Sequence, residues 1–138
     1  MTEPIIFKSI LNDLHDGVYF VEPDRKINFW NRAAEKITGY SAEEVTGCFC
    51  FEDILDHVDA DGKKLCQEGC LLEQTLRDGS SRESEIYLHH KNGERLPVSV
   101  RVSPVFDEEN KIVGAVEVFS DNSGVQEARQ RIEDLEKL

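Results

Sequence analysis

The 138-residue chain lacks any apolar run near the roughly 20 residues that a membrane-spanning helix needs. It also lacks an excess of basic charge, because 16 Lys and Arg residues stand against 28 Asp and Glu residues, for a formal net charge of -12. A field of that sign repels phosphate backbones and anionic lipids, so we expect binding to neither nucleic acid nor membranes. The N-terminus has no basic stretch ahead of an apolar one, which argues against a secretory signal and favours a cytoplasmic location.

The motifs of common enzyme classes are missing as well. There is no phosphate-binding Gly-x4-Gly-Lys sequence, no Gly-x-Ser-x-Gly nucleophile turn and no protein-kinase signature. The acidic residues are dispersed over turns and polar helix positions, where solvation is the expected role. The sequence therefore predicts no catalytic residues in this chain.

Cysteine is absent from most of the chain and concentrated in one stretch. All four cysteines, Cys48, Cys50, Cys66 and Cys70, fall within 23 positions. In a reducing compartment such clustering favours metal-binding or redox-active thiols over structural disulfides. With His57 the stretch offers four or five donors of the kind that zinc and iron–sulfur sites use. Three interpretations stay open: a metal ion or cluster, a redox disulfide, and cysteines that pack in the core as small apolar side chains.

The first part of the chain predicts a helix, a β-hairpin and further short helices. Apolar residues at three- and four-residue steps within 5–14 indicate an amphipathic helix that docks on a core or a partner. Short β-rich runs at 17–21 and 27–30 predict the hairpin. Asn31 is expected to cap the next helix, and Ser41 with a glutamate three positions later predicts a capping box.

The second half changes to a period of two. After a helix from about Cys70 to Arg77, strands are predicted over 82–90, 95–103 and 111–119. The Asn-Gly dipeptide between the first two favours a type I′ hairpin turn. The third strand is apolar on both faces, so we expect it to be central or covered. Helices followed by antiparallel strands in one sheet predict an α+β domain.

The end of the chain has a different pattern. Val125, Ala128, Ile132 and Leu135 follow heptad steps, with charged residues between them. We therefore expect a C-terminal helix with a coiled-coil seam, and because the pattern stops in mid-repeat we expect the native protein to continue.

These elements resemble the PAS sensory domain. The likeness rests on Gly-Val-Tyr-Phe-Val at 17–21, Asn-Arg-Ala-Ala at 31–34, Gly-Tyr-Ser-Ala-Glu-Glu-Val-Thr-Gly at 39–47 and Lys-Asn-Gly-Glu at 91–94. It implies the PAS fold, a five-stranded antiparallel sheet with short helices on one side and flanking helices at both ends. The expected organisation is an N-terminal flanking helix at 1–16, the PAS domain at 17–121, and a linker helix at 122–138 that leads into an effector domain.

A narrower likeness is to PAS domains that precede GGDEF diguanylate cyclase domains in bacterial signalling proteins. It rests on the stretches 50–71, 87–93 and 119–123. This resemblance implies a metal-ligand set whose members are Cys50, His57, Cys66 and Cys70, with Cys48 as a spare ligand or redox partner.

The implied function is a sensory input domain rather than an enzyme. It would detect a small ligand, a metal or a redox state and relay the signal through the C-terminal helix to a covalently linked output domain in cyclic di-GMP signalling. A homodimer through the terminal helices is expected. The alternative is a constitutive PAS dimerisation module with no bound signal.

Flavin and haem are both disfavoured as cofactors. Cys50 has the offset from Gly47 that a flavin-reactive cysteine has in photoreceptor PAS domains, but Phe49 replaces the asparagine of that signature. Haem PAS sensors ligate iron through a histidine on the helix before the third strand, and none lies between Cys70 and Arg77.

Overall fold

The computed structural model describes residues 3–49, 54–55, 57–65 and 70–137. The regular elements fall in two groups, one within 3–45 and the other within 71–136. In chain order the elements are α1 (Glu3–Asp13), β1 (Gly17–Val21), β2 (Ile27–Trp30), α2 (Arg32–Thr38), α3 (Ala42–Val45), α4 (Leu71–Asp78), β3 (Arg82–His89), β4 (Arg95–Phe106), β5 (Ile112–Asp121) and α5 (Ser123–Glu136).

The strands form one five-stranded sheet in the order β2-β1-β5-β4-β3, with every neighbouring pair antiparallel. The predicted α+β class and single antiparallel sheet are confirmed. β5 is the central strand, which confirms the first of the two alternatives predicted for it. β3 lies at one edge of the sheet, so one side of its backbone is not paired with another strand of the sheet.

The core fills the space between one face of the sheet and the short helices. Its centre is an aromatic group in which the Tyr19 ring lies 5.4 Å from that of Trp30 and 6.0 Å from that of Phe119. Strand alternation brings Val98, Val100 and Val102 to the same side, where each is at most 2% exposed. The alternation predicted for β4 is therefore confirmed.

Local helix signals are confirmed and one turn prediction is wrong. Asn31 caps α2 through its side chain, and Ser41 begins α3 with a complete capping box. The hairpin between β3 and β4 is not type I′, because Gly93 takes φ 97° while Asn92 stays outside the positive-φ region. The Asn92 side chain instead accepts a hydrogen bond from the Glu94 amide at 2.9 Å, which a negative φ allows.

The two terminal helices leave their apolar stripes largely exposed in the single chain. On α1 Phe7 is 58% exposed and Ile10 is 53% exposed, and on α5 Leu135 is 66% exposed. The stripe of α1 therefore does not dock on the core of its own chain.

None of the described helices is long and apolar enough to cross a membrane.

Candidate functional site

His57 is positioned by a segment that extends the sheet beyond its edge strand. Val58 and Tyr87 exchange two backbone hydrogen bonds of 2.9 Å, and the His89 amide donates to the Leu55 carbonyl at 2.7 Å. Val58 thus forms an isolated antiparallel bridge to β3. The His57 carbonyl in turn accepts from the Leu65 amide at 2.9 Å, which closes the loop behind it.

The side chain of His57 points into the core and meets a buried carboxylate. Glu117 of β5 is 1% exposed and His57 is 7% exposed. Their Nε2 and Oε2 atoms are 3.5 Å apart, and neither atom has a hydrogen-bond partner among the described residues. An ionisable pair that is buried and not hydrogen-bonded is costly to keep in a core, so it marks a site more than a stabilising contact.

Sequence reasoning missed Glu117. The signal was present, because Glu117 is an acidic residue between Val116 and Val118 on a strand predicted to be central. Alternation places it on the same face as Ala115 and Phe119, which is the buried face.

Cys70 lies beside this pair. It is buried at the N-cap of α4, and the Arg25 guanidinium donates to its sulfur at 3.6 Å. Cys70 and the pair line one cavity of about 10 Å³, enough for one water-sized occupant. Its walls are His57, Leu65, Cys70, Leu71, Leu72, Ile86 and Glu117.

The predicted ligand set is thus partly accounted for. His57 and Cys70 meet at one cavity, whereas Cys50 and Cys66 lie outside the described residues. Cys48 is half-buried, points its sulfur at the Glu44 carbonyl at 3.6 Å, and does not line the cavity. Within the described ranges, no three His, Cys, Asp or Glu side chains converge as a metal-binding group.

The strand that forms hydrogen bonds with the His57 segment, β3, also forms hydrogen bonds with the C-terminal helix α5. The Tyr87 hydroxyl donates to Gln126 Oε1 of α5 at 3.4 Å. Two residues earlier on β3, Glu85 accepts two hydrogen bonds of 3.0 Å from the guanidinium of Arg129. That guanidinium holds the pKa of Glu85 below its ordinary value of 4.5, because it hydrogen-bonds to the charged carboxylate. β3 is therefore in contact with the His57 segment and with α5.

The chain matches the PAS domain over residues 15–123, which is most of its length. It belongs to the PAS domain family. Among solved structures it is similar to the PAS domain of a protein from Colwellia psychrerythraea, with a TM-score of 0.71 and 19% identity over 87% of this chain and 97% of that one. At that identity the likeness shows the shared fold.

Two curated proteins are similar in sequence. One is the two-component system protein A of Emericella nidulans, 28% identical over 88% of this chain and 17% of that protein. The other is a blue-light photoreceptor of Listeria innocua, 26% identical over 97% of this chain and 53% of that protein. This PAS chain thus spans about a sixth of the length of the Emericella protein and about half of the length of the Listeria protein. Both names belong to signalling proteins, which agrees with a sensory, input-type PAS domain.

Proposed function

We propose that this PAS domain is the cytoplasmic input domain of a bacterial signalling protein and that it senses its signal at the cysteine and histidine site. The signal would be a small ligand, a metal or a redox state acting at Cys50, His57, Cys66 and Cys70. It would be relayed through α5 to an output domain, for which the resemblance at 50–71 and 87–93 favours a diguanylate cyclase. The domain itself performs no catalysis.

One observation carries this proposal. The outer edge of β3 forms backbone hydrogen bonds with the His57 segment, and the side chains of Tyr87 and Glu85 on the same strand form hydrogen bonds with α5. An occupant that moves the His57 segment would shift the edge strand to which Gln126 and Arg129 of α5 are hydrogen-bonded. Such a shift changes the balance between two packings of α5 and needs no chemical step. A dimer through the exposed stripes of α1 and α5 would then carry the change to the partner subunit and to the output domains.

The experiment begins with anaerobic purification of the 138-residue chain. Metal analysis and absorption spectra are recorded, and the α5 amides are followed by hydrogen exchange with the thiols reduced and oxidised. Sensing at the cysteines predicts bound metal, or a thiol-dependent change in α5. A colourless, metal-free protein whose α5 ignores thiol oxidation would contradict it and favour the constitutive dimerisation module. The reading frame beyond Leu138 tests the cyclase assignment separately.

A further inference from the structure

The pair formed by His57 and Glu117 has no explanation in the packing of the core. Glu117 sits on the central strand, opposite Val102 on one side and Tyr19 on the other. An apolar residue of similar size would fill this position without the cost of removing a carboxylate from water. Buried charges in proteins are paired or coordinate metals, so the burial of Glu117 points to one of these two roles.

The distance between His57 Nε2 and Glu117 Oε2 fits a metal ion bound by both atoms better than a hydrogen bond between them. A charge-assisted hydrogen bond between imidazole and carboxylate would bring the atoms to about 2.7–2.9 Å. The observed separation of Nε2 and Oε2 is 3.5 Å. With bonds of about 2.1 Å to each atom, that separation subtends about 113° at a metal ion, close to the tetrahedral angle.

The space beside the pair limits the size of the occupant. The cavity of about 10 Å³ holds one water-sized particle and is otherwise walled by aliphatic side chains such as Leu72 and Ile86. An organic ligand would need a pocket of at least about 300 Å³. A single ion therefore fits the space beside His57 and Glu117. Cys70 lines the same cavity but does not converge with the pair as a third donor among the described residues.

We propose that His57 Nε2 and Glu117 Oε2 together bind one divalent transition-metal ion of the zinc, cobalt and iron(II) class, with Glu117 as its oxygen ligand. This inference rests on the proposed function and deepens it, since it names the ion class and adds a ligand that the cysteine and histidine set does not contain. Because His57 and Glu117 come from the added edge segment and from the central strand, an ion between them ties the edge of the sheet to its middle. The remaining positions are taken by sulfur or by water.

The test uses Co²⁺, whose visible absorption reports coordination number and sulfur ligation. The metal-free 138-residue chain is titrated as wild type, as Glu117→Gln, and as the control Glu83→Gln. Glu83 is an exposed carboxylate on β3 and touches neither His57 nor the cavity. We expect one equivalent of four-coordinate Co²⁺ in the wild type and the control. Glu117→Gln should bind at least about tenfold more weakly, since even outer-shell partners of metal ligands contribute that much.

Folding of the variant is checked independently. The amide of Glu117→Gln is isosteric and uncharged, so the metal-free variant should melt at or above the temperature of the metal-free wild type. Adding Co²⁺ should raise the melting temperature of the wild type and of Glu83→Gln. The increase for Glu117→Gln should be much smaller. A folded Glu117→Gln that titrates like the wild type would overturn the inference.

The failure of this inference is distinguishable from failure of the proposed function. If Co²⁺ binding survives Glu117→Gln but is lost in Cys70→Ser, the metal is held by the cysteine and histidine set and Glu117 is not a ligand. If the folded wild type binds no Co²⁺, the ion site is disproved. In both cases the response of α5 to thiol oxidation still decides the proposed sensory role.

Discussion

Arg129 of α5 binds Glu85 of β3 through a two-pronged contact, Nη1 to Oε2 and Nη2 to Oε1, each at 3.0 Å. A planar guanidinium fits a carboxylate in this way with a defined orientation. The contact fixes the rotation of α5 relative to the edge strand. It therefore joins the output helix to the strand that also carries the His57 segment.

The first prediction concerns the effect of low pH on the contact between Glu85 and Arg129. Because the folded-state pKa of Glu85 is lowered by Arg129, the contact stabilises the docked helix above the ordinary value of 4.5 and is lost as pH falls through the lowered value. We expect the Glu85 carboxylate to titrate below 4.5 and the protection of α5 amides from exchange to fall with it. NMR titration of the carboxylate carbon and of the α5 amides measures both.

Glu85→Gln reproduces this loss at neutral pH. Its matched control is Glu83→Gln, since Glu83 makes only a long contact of 3.7 Å with Arg101 on the neighbouring strand. Protection of α5 should fall in the first variant and stay unchanged in the second. Equal protection in both variants would show that the Glu85 contact does not dock the helix.

The second prediction concerns the hydroxyl of Tyr87. Its hydrogen bond to Gln126 is long, at 3.4 Å, so Tyr87→Phe should destabilise the protein by only about 0.5–1 kcal/mol. The larger effect is expected on signalling, because α5 loses a contact to the residue whose backbone pairs with Val58. A double-mutant cycle with Gln126→Leu, read by chemical denaturation, measures the coupling. Strictly additive effects of the two substitutions would contradict a direct bond.

The third prediction concerns Asn31, which connects three elements. Its Oδ1 accepts from the Val18 and Ala34 amides at 2.8 and 2.9 Å, and its Nδ2 donates to the Leu11 and Asp16 carbonyls at 2.7 and 3.1 Å. Asn31→Leu leaves the two buried amides unsatisfied, at a cost of about 1–3 kcal/mol each, and removes the donor from two partly buried carbonyls. We therefore expect a loss of at least about 2 kcal/mol.

Asn31→Asp separates the roles of the two ends of the side chain. It keeps the cap on α2 but loses both donors and sets a buried carboxylate oxygen against two carbonyl oxygens, so its stability should fall clearly below that of the wild type. Urea denaturation measures the series, with the exposed Asn28→Asp on β2 as the control. An Asn31→Asp protein as stable as the wild type would show that the contacts to α1 contribute nothing.

The fourth prediction concerns the terminal helices. On α5 Ile132 is 56% exposed and Leu135 is 66% exposed, and both lie on the heptad stripe. If this stripe forms the dimer interface, a chain ending at Asp121 should sediment as a monomer while keeping the PAS fold. Ile132→Glu with Leu135→Glu should weaken the dimer in the full chain without removing the helix. An unchanged sedimentation mass would refute the stripe as the main contact.

Patterns local to one element were predictable from the sequence, and relationships across the sheet were not. The cap at Asn31 and the alternation of β4 depend on neighbouring residues, and the structure confirms both. The type I′ turn failed because the same Asn-Gly pair also fits a turn in which only Gly93 takes a positive φ. Choosing between them depends on the register of the flanking strands, which a dipeptide does not encode.

The candidate site shows the same division. Clustering in the sequence pointed to His57 and Cys70, and both line one cavity. Glu117 lies 60 positions from His57 in the chain. Its contact with His57 depends on β5 being central and on the bridge between Val58 and β3, so no local spacing could indicate it.

The central claim is that an occupant at the His57 site changes how α5 packs on β3. Hydrogen exchange of the amides at 123–136 tests it most directly, in the wild type with and without Co²⁺ and in the same chain carrying both Tyr87→Phe and Glu85→Gln. The account predicts that Co²⁺ changes the protection of α5 in the wild type and has a much smaller effect in the double variant. Identical α5 protection with and without Co²⁺ in a wild type that binds the ion would contradict it.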